Sequence, residues 1–141
     1  MSQVTEKQVK EFIRGYLSAA LFFSSFTPCD EDGNETGDTI EGLSGYEWAE
    51  GQAESLHEEC QDFIQAQAAD LLEYVAQIPC DLSQGTPWDY AGHDFWLTRN
   101  GHGVGYWDRG LGQLGERLTA ASKAYGGKDL YLGDDELVYV Y

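Results

Sequence analysis

The stretch GHDFWLTRNGHGVGYWDRG, from Gly92 to Gly110, decides the predicted fold. Two short runs rich in aromatic and aliphatic residues, 94–99 and 104–108, flank the dipeptide Asn100-Gly101. Asn-Gly between apolar runs is the strongest short-range signal for a β-hairpin turn. We therefore predict two antiparallel strands over this stretch.

After this hairpin, the pattern changes from a strand period to a helix period. Apolar residues at helical spacing predict a helix that ends at Gly126-Gly127, and a second hairpin follows across Asp134-Asp135. The apolar positions of the helix are Leu111, Leu114, Leu118, Ala121 and Tyr125. The strands of the second hairpin are Leu130–Leu132 and Leu137–Val140.

Before the first hairpin, two capping boxes predict two helices. Thr5 with Gln8 opens a helix from about Glu6 to Phe23. Ser44 with Glu47 opens a longer helix that Pro79 closes, and Gly51 either bends this helix or delays its start. The predicted fold class is therefore α+β, in one domain spanning residues 1–141. Two N-terminal helices precede a β-hairpin, a helix and a β-hairpin, and the strands form an antiparallel sheet with the helices packed on one face.

The charge of this chain is concentrated in its middle. No Lys or Arg occurs from Gly15 to Thr98, yet that stretch holds 17 Asp and Glu residues, which equals the formal net charge of −17 in magnitude. A surface of this sign repels polyanions, so we expect no direct binding of DNA or RNA. It is compatible with a basic protein partner or with cations.

The predicted second helix carries most of these charges on one side. On a helical wheel, five carboxylates fall within about 120° of one another, opposite the apolar stripe. These residues are Glu47, Glu50, Glu54, Glu58 and Asp62. A rigid row of like charges resembles a row of phosphates, so we predict that this face binds a basic channel as a nucleic-acid mimic. The alternative is an acidic surface that only keeps the protein in solution.

The loop after the first helix has the ligand spacing of a calcium-binding loop. Oxygen-bearing residues occupy offsets 1, 3, 5, 7, 9 and 12, as in the EF-hand. These are Asp30, Asp32, Asn34, Thr36, Asp38 and Glu41. Position 6, which requires glycine in that motif, is Glu35. Weak Ca²⁺ binding is the only cofactor that this loop suggests, and the alternative is an ordinary acidic loop.

The predicted first hairpin gathers the side chains most capable of chemistry. A two-residue turn would place His93 across from Asp108, and Arg99 across from His102. A His–Asp pair orients an imidazole as a general base, and two histidines with Asp94 or Asp108 are able to hold a metal. The alternative site is therefore His93, His102, Asp108 and Arg109, in a small enzyme or metal-dependent module. No established catalytic signature is present, and we expect no enzyme here.

The cysteines and the distribution of apolar residues indicate in which cellular compartment to expect the protein. The three cysteines, Cys29, Cys60 and Cys80, include no C-x-x-C pair and are expected to be reduced thiols. The first ten residues lack the apolar region of a signal peptide, and the most apolar run, 16–23, is too short to span a bilayer. We expect a cytoplasmic protein that contacts no membrane.

The motif from Gly92 to Gly110, followed by a helix and the DLYLGDD ending, resembles a family of small acidic uncharacterised proteins of tailed bacteriophages and prophages. The resemblance covers roughly residues 91–139. It implies a phage protein acting inside a bacterium and assigns no catalytic or binding residue. The combined expectation is a phage-encoded acidic protein whose negative helix face binds a basic surface on a host or phage protein, such as a nucleic-acid-binding defence protein.

Overall fold

The computed structural model of the chain describes residues 4–78, 83, 85–101 and 105–141. Within these residues the protein is α+β, as predicted, with five α-helices and two small β-sheets. In chain order the elements are α1 Glu6–Phe22, β1 Ser25–Phe26, β2 Ile40–Glu41, β3 Glu47–Trp48, α2 Gln52–Ala66, α3 Ala68–Gln77, α4 Pro87–Arg99, a 3₁₀ helix Tyr106–Asp108, α5 Gln113–Lys123, β4 Leu130–Leu132 and β5 Leu137–Val140.

Helix α1 forms where the sequence predicts it. The Thr5 hydroxyl accepts the backbone N–H of Gln8 at 3.2 Å, and the Gln8 side chain accepts the N–H of Thr5 at 2.9 Å. This capping box satisfies two N–H groups that the first helical turn cannot pair internally. One face of the helix, including Phe12 and Tyr16, is fully buried.

The predicted hairpin at 94–108 is wrong, because residues 87–99 form helix α4. Thr86 caps the helix through the N–H of Asp89, and Pro87 occupies its first turn, where a missing N–H costs nothing. Asn100 follows the last helical residue, and Gly101, with a φ of 73°, comes next. The Asn100-Gly101 signal therefore marks the end of a helix, the other setting in which Asn-Gly is favoured.

Helix α4 lacks an amphipathic pattern because it is buried on almost every side. Ten of its thirteen residues are buried, charged groups included. A helix enclosed by its neighbours shows no 3.6-residue alternation of apolar and polar side chains. It crosses α1 closely at Gly15 and Gly92, since a Cβ atom at either glycine would lie well inside 3.0 Å of the other helix's backbone.

The predicted long helix from Ser44 to Pro79 is confirmed only in part: 52–66 and 68–77 are helical, but its start and its continuity are wrong. Ser44 does not begin a helix: the chain first forms strand β3, and α2 starts after Gly51, whose φ of 80° is left-handed. A break at Gln67 then separates α2 from α3. Glu47 and Glu50 consequently lie outside the helix, whereas Pro79 lies outside the described residues.

The second predicted hairpin is confirmed. Strands β4 and β5 pair antiparallel with Leu130 opposite Val140, and the turn between them includes Asp134-Asp135. The predicted single antiparallel sheet is not observed. Strand β3 joins β5 in parallel, giving the order β3-β5-β4, and β1 and β2 form a separate antiparallel pair.

Aromatic rings fill the core between the helices. Phe63 of α2 stacks on Phe95 of α4 with their centroids 4.0 Å apart, and Phe12 and Tyr16 of α1 close the cluster from the other side. Burial of such rings supplies much of the apolar stabilisation of a domain this size. In the described part of the chain, no helix has the length and apolar character needed to cross a bilayer.

Candidate functional site

The predicted acidic face is exposed, but it is built from three kinds of local structure. Glu47 lies in β3, Glu50 lies in the turn before α2, and the other three residues lie on α2 itself. We call these five residues the acidic face: Glu47, Glu50, Glu54, Glu58 and Asp62. All five are exposed. The three on α2 follow one another every fourth residue, at a rise of about 6 Å per step.

Helix α2 keeps Glu54, Glu58 and Asp62 exposed because its opposite side is packed against the core. Leu56, Cys60, Phe63 and Ile64 are buried in the core. Burial raises the pKa of the Cys60 thiol well above its usual range, so the thiol stays neutral. The spacing of this apolar stripe is a correct sequence prediction over 52–66.

The inner edge of α2 is neutralised by arginine. The guanidinium of Arg99, wholly buried, donates to the Glu59 carboxylate at 2.8 Å and to the Tyr16 hydroxyl at 3.0 Å. Arg99 also donates to the backbone carbonyls of Gly126 and Tyr125. It was predicted to lie across from His102, which lies outside the described residues.

Helix α3 is partly neutralised in the same way. Arg117 of α5 donates to the Asp70 carboxylate at 3.1 Å and lies 3.6 Å from that of Glu73. Within the described residues, no Lys or Arg forms an ion pair with a member of the acidic face. Asp62 instead accepts a hydrogen bond from the Tyr125 hydroxyl. Burial and this carboxylate raise the pKa of Tyr125.

The sheet adds acidic residues that sequence reasoning missed. Strand β3 pairs with β5 so that Glu47 is opposite Leu137, which places the β4–β5 turn at the same end of the sheet as Glu47. The turn carries Asp134, Asp135 and Glu136, all exposed. The hydrogen bond from the Tyr139 hydroxyl to Asp135, at 2.6 Å, lowers the pKa of that carboxyl. This juxtaposition has no local signal, because about ninety residues separate the paired strands.

The calcium-like loop connects strands β1 and β2, which pair antiparallel. Asp30 uses one carboxylate oxygen to accept the N–H groups of Asp32 and Asn34, at 3.0 and 2.9 Å. The hydrogen bond from the Asn34 backbone is the largest cause that lowers the pKa of Asp30. Glu41 lies in β2, opposite Ser25.

Asp38 is exposed in the same loop. Across the described ranges, the structure gathers no group of three or more His, Cys, Asp or Glu side chains that could hold a metal ion. Calcium binding at Asp30, Asp32, Asn34, Asp38 and Glu41 stays a prediction.

The predicted pairing of His93 with Asp108 is wrong. His93 lies on α4, and its Nδ1 is 3.0 Å from the carboxylate of the adjacent Asp94. Asp108 is exposed on the 3₁₀ helix. Arg109 does reach the site, since its Nε and one terminal nitrogen each donate to Asp94 at 2.8 Å.

Asp94 is the centre of this buried cluster, which we call the Asp94 network. Its side chain is fully buried and also accepts a 2.5 Å hydrogen bond from the Tyr74 hydroxyl. Burial alone would raise the pKa of Asp94, but the hydrogen bonds from Arg109 and His93 outweigh it, and the pKa lies below its usual value. The network links α3, α4 and the residue that follows the 3₁₀ helix around one carboxylate.

The sequence contained a signal for this arrangement. Thr86, Pro87 and Asp89 match a capped helix start, which would have placed His93 and Asp94 on a helix. The hairpin prediction instead set alternate residues on opposite faces. Much of the motif from Gly92 to Gly110 is thus core, with Trp96, Leu97 and Tyr106 buried.

Comparison of the chain with models of protein families, with curated protein sequences and with solved structures gives no match in any of the three.

Proposed function

We propose that this protein binds a basic surface on another protein through the acidic face. The observation that carries the proposal is that these five carboxylates are exposed, while no Lys or Arg among the described residues pairs with them. A one-sign surface of this kind attracts a basic partner and accelerates its association.

The distribution of arginine supports this proposal. Each of the four arginines, Arg14, Arg99, Arg109 and Arg117, bonds to an aspartate or glutamate elsewhere in the molecule. The arginine charges are therefore used within the molecule and, in the described part of the chain, none of them forms an ion pair with the acidic face. Lys10, His57 and Gln61 line one groove between α1 and α2.

Nucleic-acid mimicry is the form of binding that we favour. Glu54, Glu58 and Asp62 stand on a rigid helix whose back is packed into the core, so their spacing of about 6 Å per step is maintained. Glu47 and the Asp134–Glu136 turn extend negative charge beyond the helix. The resemblance to phage proteins adds a bacterial host as context, where a nucleic-acid-binding defence protein would be the partner.

Affinity capture with matched charge variants tests the proposal. The face variant Glu50→Gln/Glu54→Gln/Glu58→Gln removes three charges from the acidic face. The control variant Glu31→Gln/Glu35→Gln/Asp38→Asn removes the same charge from the exposed loop. Each protein is immobilised and exposed to a nuclease-treated bacterial lysate at about 50 mM and about 500 mM salt, since screening weakens such contacts.

The expected result is capture of nucleic-acid-binding proteins at low salt by the wild-type and control proteins but not by the face variant. Added duplex DNA should displace them. The proposal would be contradicted if capture did not change with salt or with added DNA, or if the face variant and the control variant captured equal amounts.

The alternative proposal, an enzyme or metal-dependent module, now centres on His93 and Arg109. Its supporting observation is the buried Asp94 carboxylate that orients a partly exposed imidazole, the arrangement used by general bases. Asp108 has no part in that contact, and His102 lies outside the described residues. Retained partner capture by His93→Ala would separate the two proposals, because the acidic face does not require the imidazole.

A further inference from the structure

The outer side of the β3-β5-β4 sheet carries three tyrosines whose rings contact one another. Tyr131 of β4 lies opposite Tyr139 of β5, and their rings stack with centroids 5.2 Å apart. The ring of Tyr141 meets that of Tyr131 at an angle of 62°, with centroids 5.3 Å apart. We call Tyr131, Tyr139 and Tyr141 the tyrosine cluster.

The alternation of the two strands turns the tyrosine cluster toward solvent. Leu130 and Val138, the neighbours of Tyr131 and Tyr139 along the chain, are buried in the core. Successive side chains of a strand point to opposite faces, so the tyrosines occupy the outer face of the sheet. Tyr131 is 36% exposed and Tyr141 is 67% exposed. An exposed group of large aromatic rings is typical of an interaction surface.

Carboxylates lie beside this tyrosine cluster. Asp129 and Tyr141 exchange two backbone hydrogen bonds of 2.9 Å, which places their side chains next to each other on the outer face. The Tyr139 hydroxyl donates to Asp135 at 2.6 Å, which fixes a second carboxylate at the edge of the cluster. Asp129 and Asp135 are both exposed.

The cations of the chain are used elsewhere. The arginines that lie over aromatic rings contact Phe95, Tyr90 and Tyr125, none of which belongs to the tyrosine cluster. In the part of the chain that the structure describes, no Lys or Arg forms an ion pair with Asp129 or Asp135. The tyrosine cluster and its carboxylates are therefore available to a cation from outside the molecule.

The chemistry of this face favours arginine as that cation. The faces of aromatic rings attract cations, and a planar, weakly hydrated guanidinium stacks on a ring while its N–H groups donate to a carboxylate. Proteins that bind single-stranded nucleic acid use arginine in the same way, through cation–π contacts with the bases. Stacked tyrosines beside carboxylates offer such an arginine a surface similar to bases beside phosphates.

We infer that the tyrosine cluster binds an arginine side chain of the basic partner, with the guanidinium on the rings and Asp129 as its counter-ion. The inference rests on the proposed function, because it names the side chain that this partner inserts. Glu47 joins the two surfaces: it belongs to the acidic face, and its register with Leu137 places it on the same face of the sheet as Tyr139.

N-acetylarginine amide is the probe for the test, observed by NMR on the full ¹³C-labelled chain. The ring resonances of Tyr131 and Tyr141 are assigned by their loss in Tyr131→Phe and Tyr141→Phe. The corresponding lysine and citrulline derivatives are titrated at equal ionic strength, since citrulline has the shape of arginine without its charge. We expect a saturable shift with arginine, binding about two- to fivefold weaker with lysine, and no saturable shift with citrulline.

Two matched ring variants provide the second measurement. Tyr141→Ala should weaken arginine binding about two- to fivefold, as should Asp129→Asn. Phe22→Ala, which removes a ring that is 65% exposed but lies outside the tyrosine cluster, should leave binding unchanged. An equal response to arginine and citrulline, or equal weakening by Tyr141→Ala and Phe22→Ala, would overturn the inference.

Two further outcomes identify which proposal fails. Tyrosine shifts that depend on protein concentration without the probe would show that a second copy of the chain covers the cluster, and would overturn the inference. The titration needs no captured partner, so an absent arginine shift beside salt-dependent capture would overturn the inference alone. A saturable shift without capture would support the arginine site and contradict the proposed function.

Discussion

The buried guanidinium of Arg99 bonds to the Glu59 carboxylate at 2.8 Å and thereby ties helix α4 to helix α2. Glu59 is 27% exposed, so this pair lies at the boundary between the core and the acidic surface. The adjacent residue, Glu58, is on the outer side of the same helix, exposed, and has no cationic partner among the described residues. The helix therefore has a neutralised inner edge and a charged outer edge.

Replacing Arg99 by Met should destabilise the protein severely. The change leaves Glu59 and the Tyr16 hydroxyl without their donor, as well as two backbone carbonyls, and breaking a buried pair costs about 3–5 kcal/mol. Arg117→Met is the matched control, because its pair with Asp70 is half-exposed and contributes about 0–1 kcal/mol. Urea unfolding measures both; equal losses would contradict a central role for Arg99.

The close crossing of α1 and α4 predicts that Gly92→Ala is poorly tolerated. The new methyl group would collide with the backbone carbonyl of Phe12, which cannot move without separating the helices. We expect a loss of about 3 kcal/mol or more, as in strongly overpacked cores. Gly45→Ala, where nothing lies within 4 Å, should change the unfolding free energy by less than about 0.5 kcal/mol. A Gly92→Ala variant as stable as the control would refute the close approach.

Stability should fall in acid because of the Asp94 network. The pKa of Asp94 is lower in the folded protein than in the unfolded chain, where it is about 3.9. The network's contribution is therefore fully present above that unfolded value, and it is lost as the pH falls through the folded pKa. Asp94→Asn should cost about 3 kcal/mol at pH 7 and should weaken the dependence on pH below about 4.

The measurement is the urea-unfolding free energy of both proteins between about pH 7 and about pH 3. Asp38→Asn, in the exposed loop, is the control and should follow the wild-type curve. An Asp94→Asn variant with the same acid dependence as the wild type would exclude Asp94 as its source.

Reversing one charge on the acidic face should separate stability from binding. Glu58→Lys turns two repulsive contacts, with Glu54 and Asp62, into attractive ones, and each such helix pair is worth about 0.2–0.5 kcal/mol. Because two repulsions are removed and two attractions are gained, we expect a stability gain of about 1–2 kcal/mol together with weaker capture of the basic partner. Thermal unfolding and capture are measured beside Glu31→Lys in the loop. Equal loss of capture in both variants would indicate an effect of net charge rather than of the acidic face.

Local chemistry explains the elements that the sequence predicts correctly. Helix α1 has its capping box within four residues, α5 has an unbroken apolar stripe, and strands β4 and β5 are joined by a four-residue turn. Each of these signals involves residues that are close together in the sequence. The residues that stabilise each element can therefore be identified from the sequence alone. The exposure of Glu54, Glu58 and Asp62 follows from the same periodicity, because the opposite face of α2 is apolar.

Tertiary contacts decided the rest. Asn100-Gly101 is favoured both in a hairpin turn and at the end of a helix. Hydrophobic periodicity normally distinguishes a strand from a helix, but α4 is buried on nearly all sides and lacks it. Glu47 became part of a strand because β5, about ninety residues later, pairs with it. The folded positions of the four arginines decide which carboxylates form ion pairs and which stay unpaired in solvent. The distances between these arginines and their carboxylate partners are set by the packing of the helices. Spacing along the sequence does not predict them.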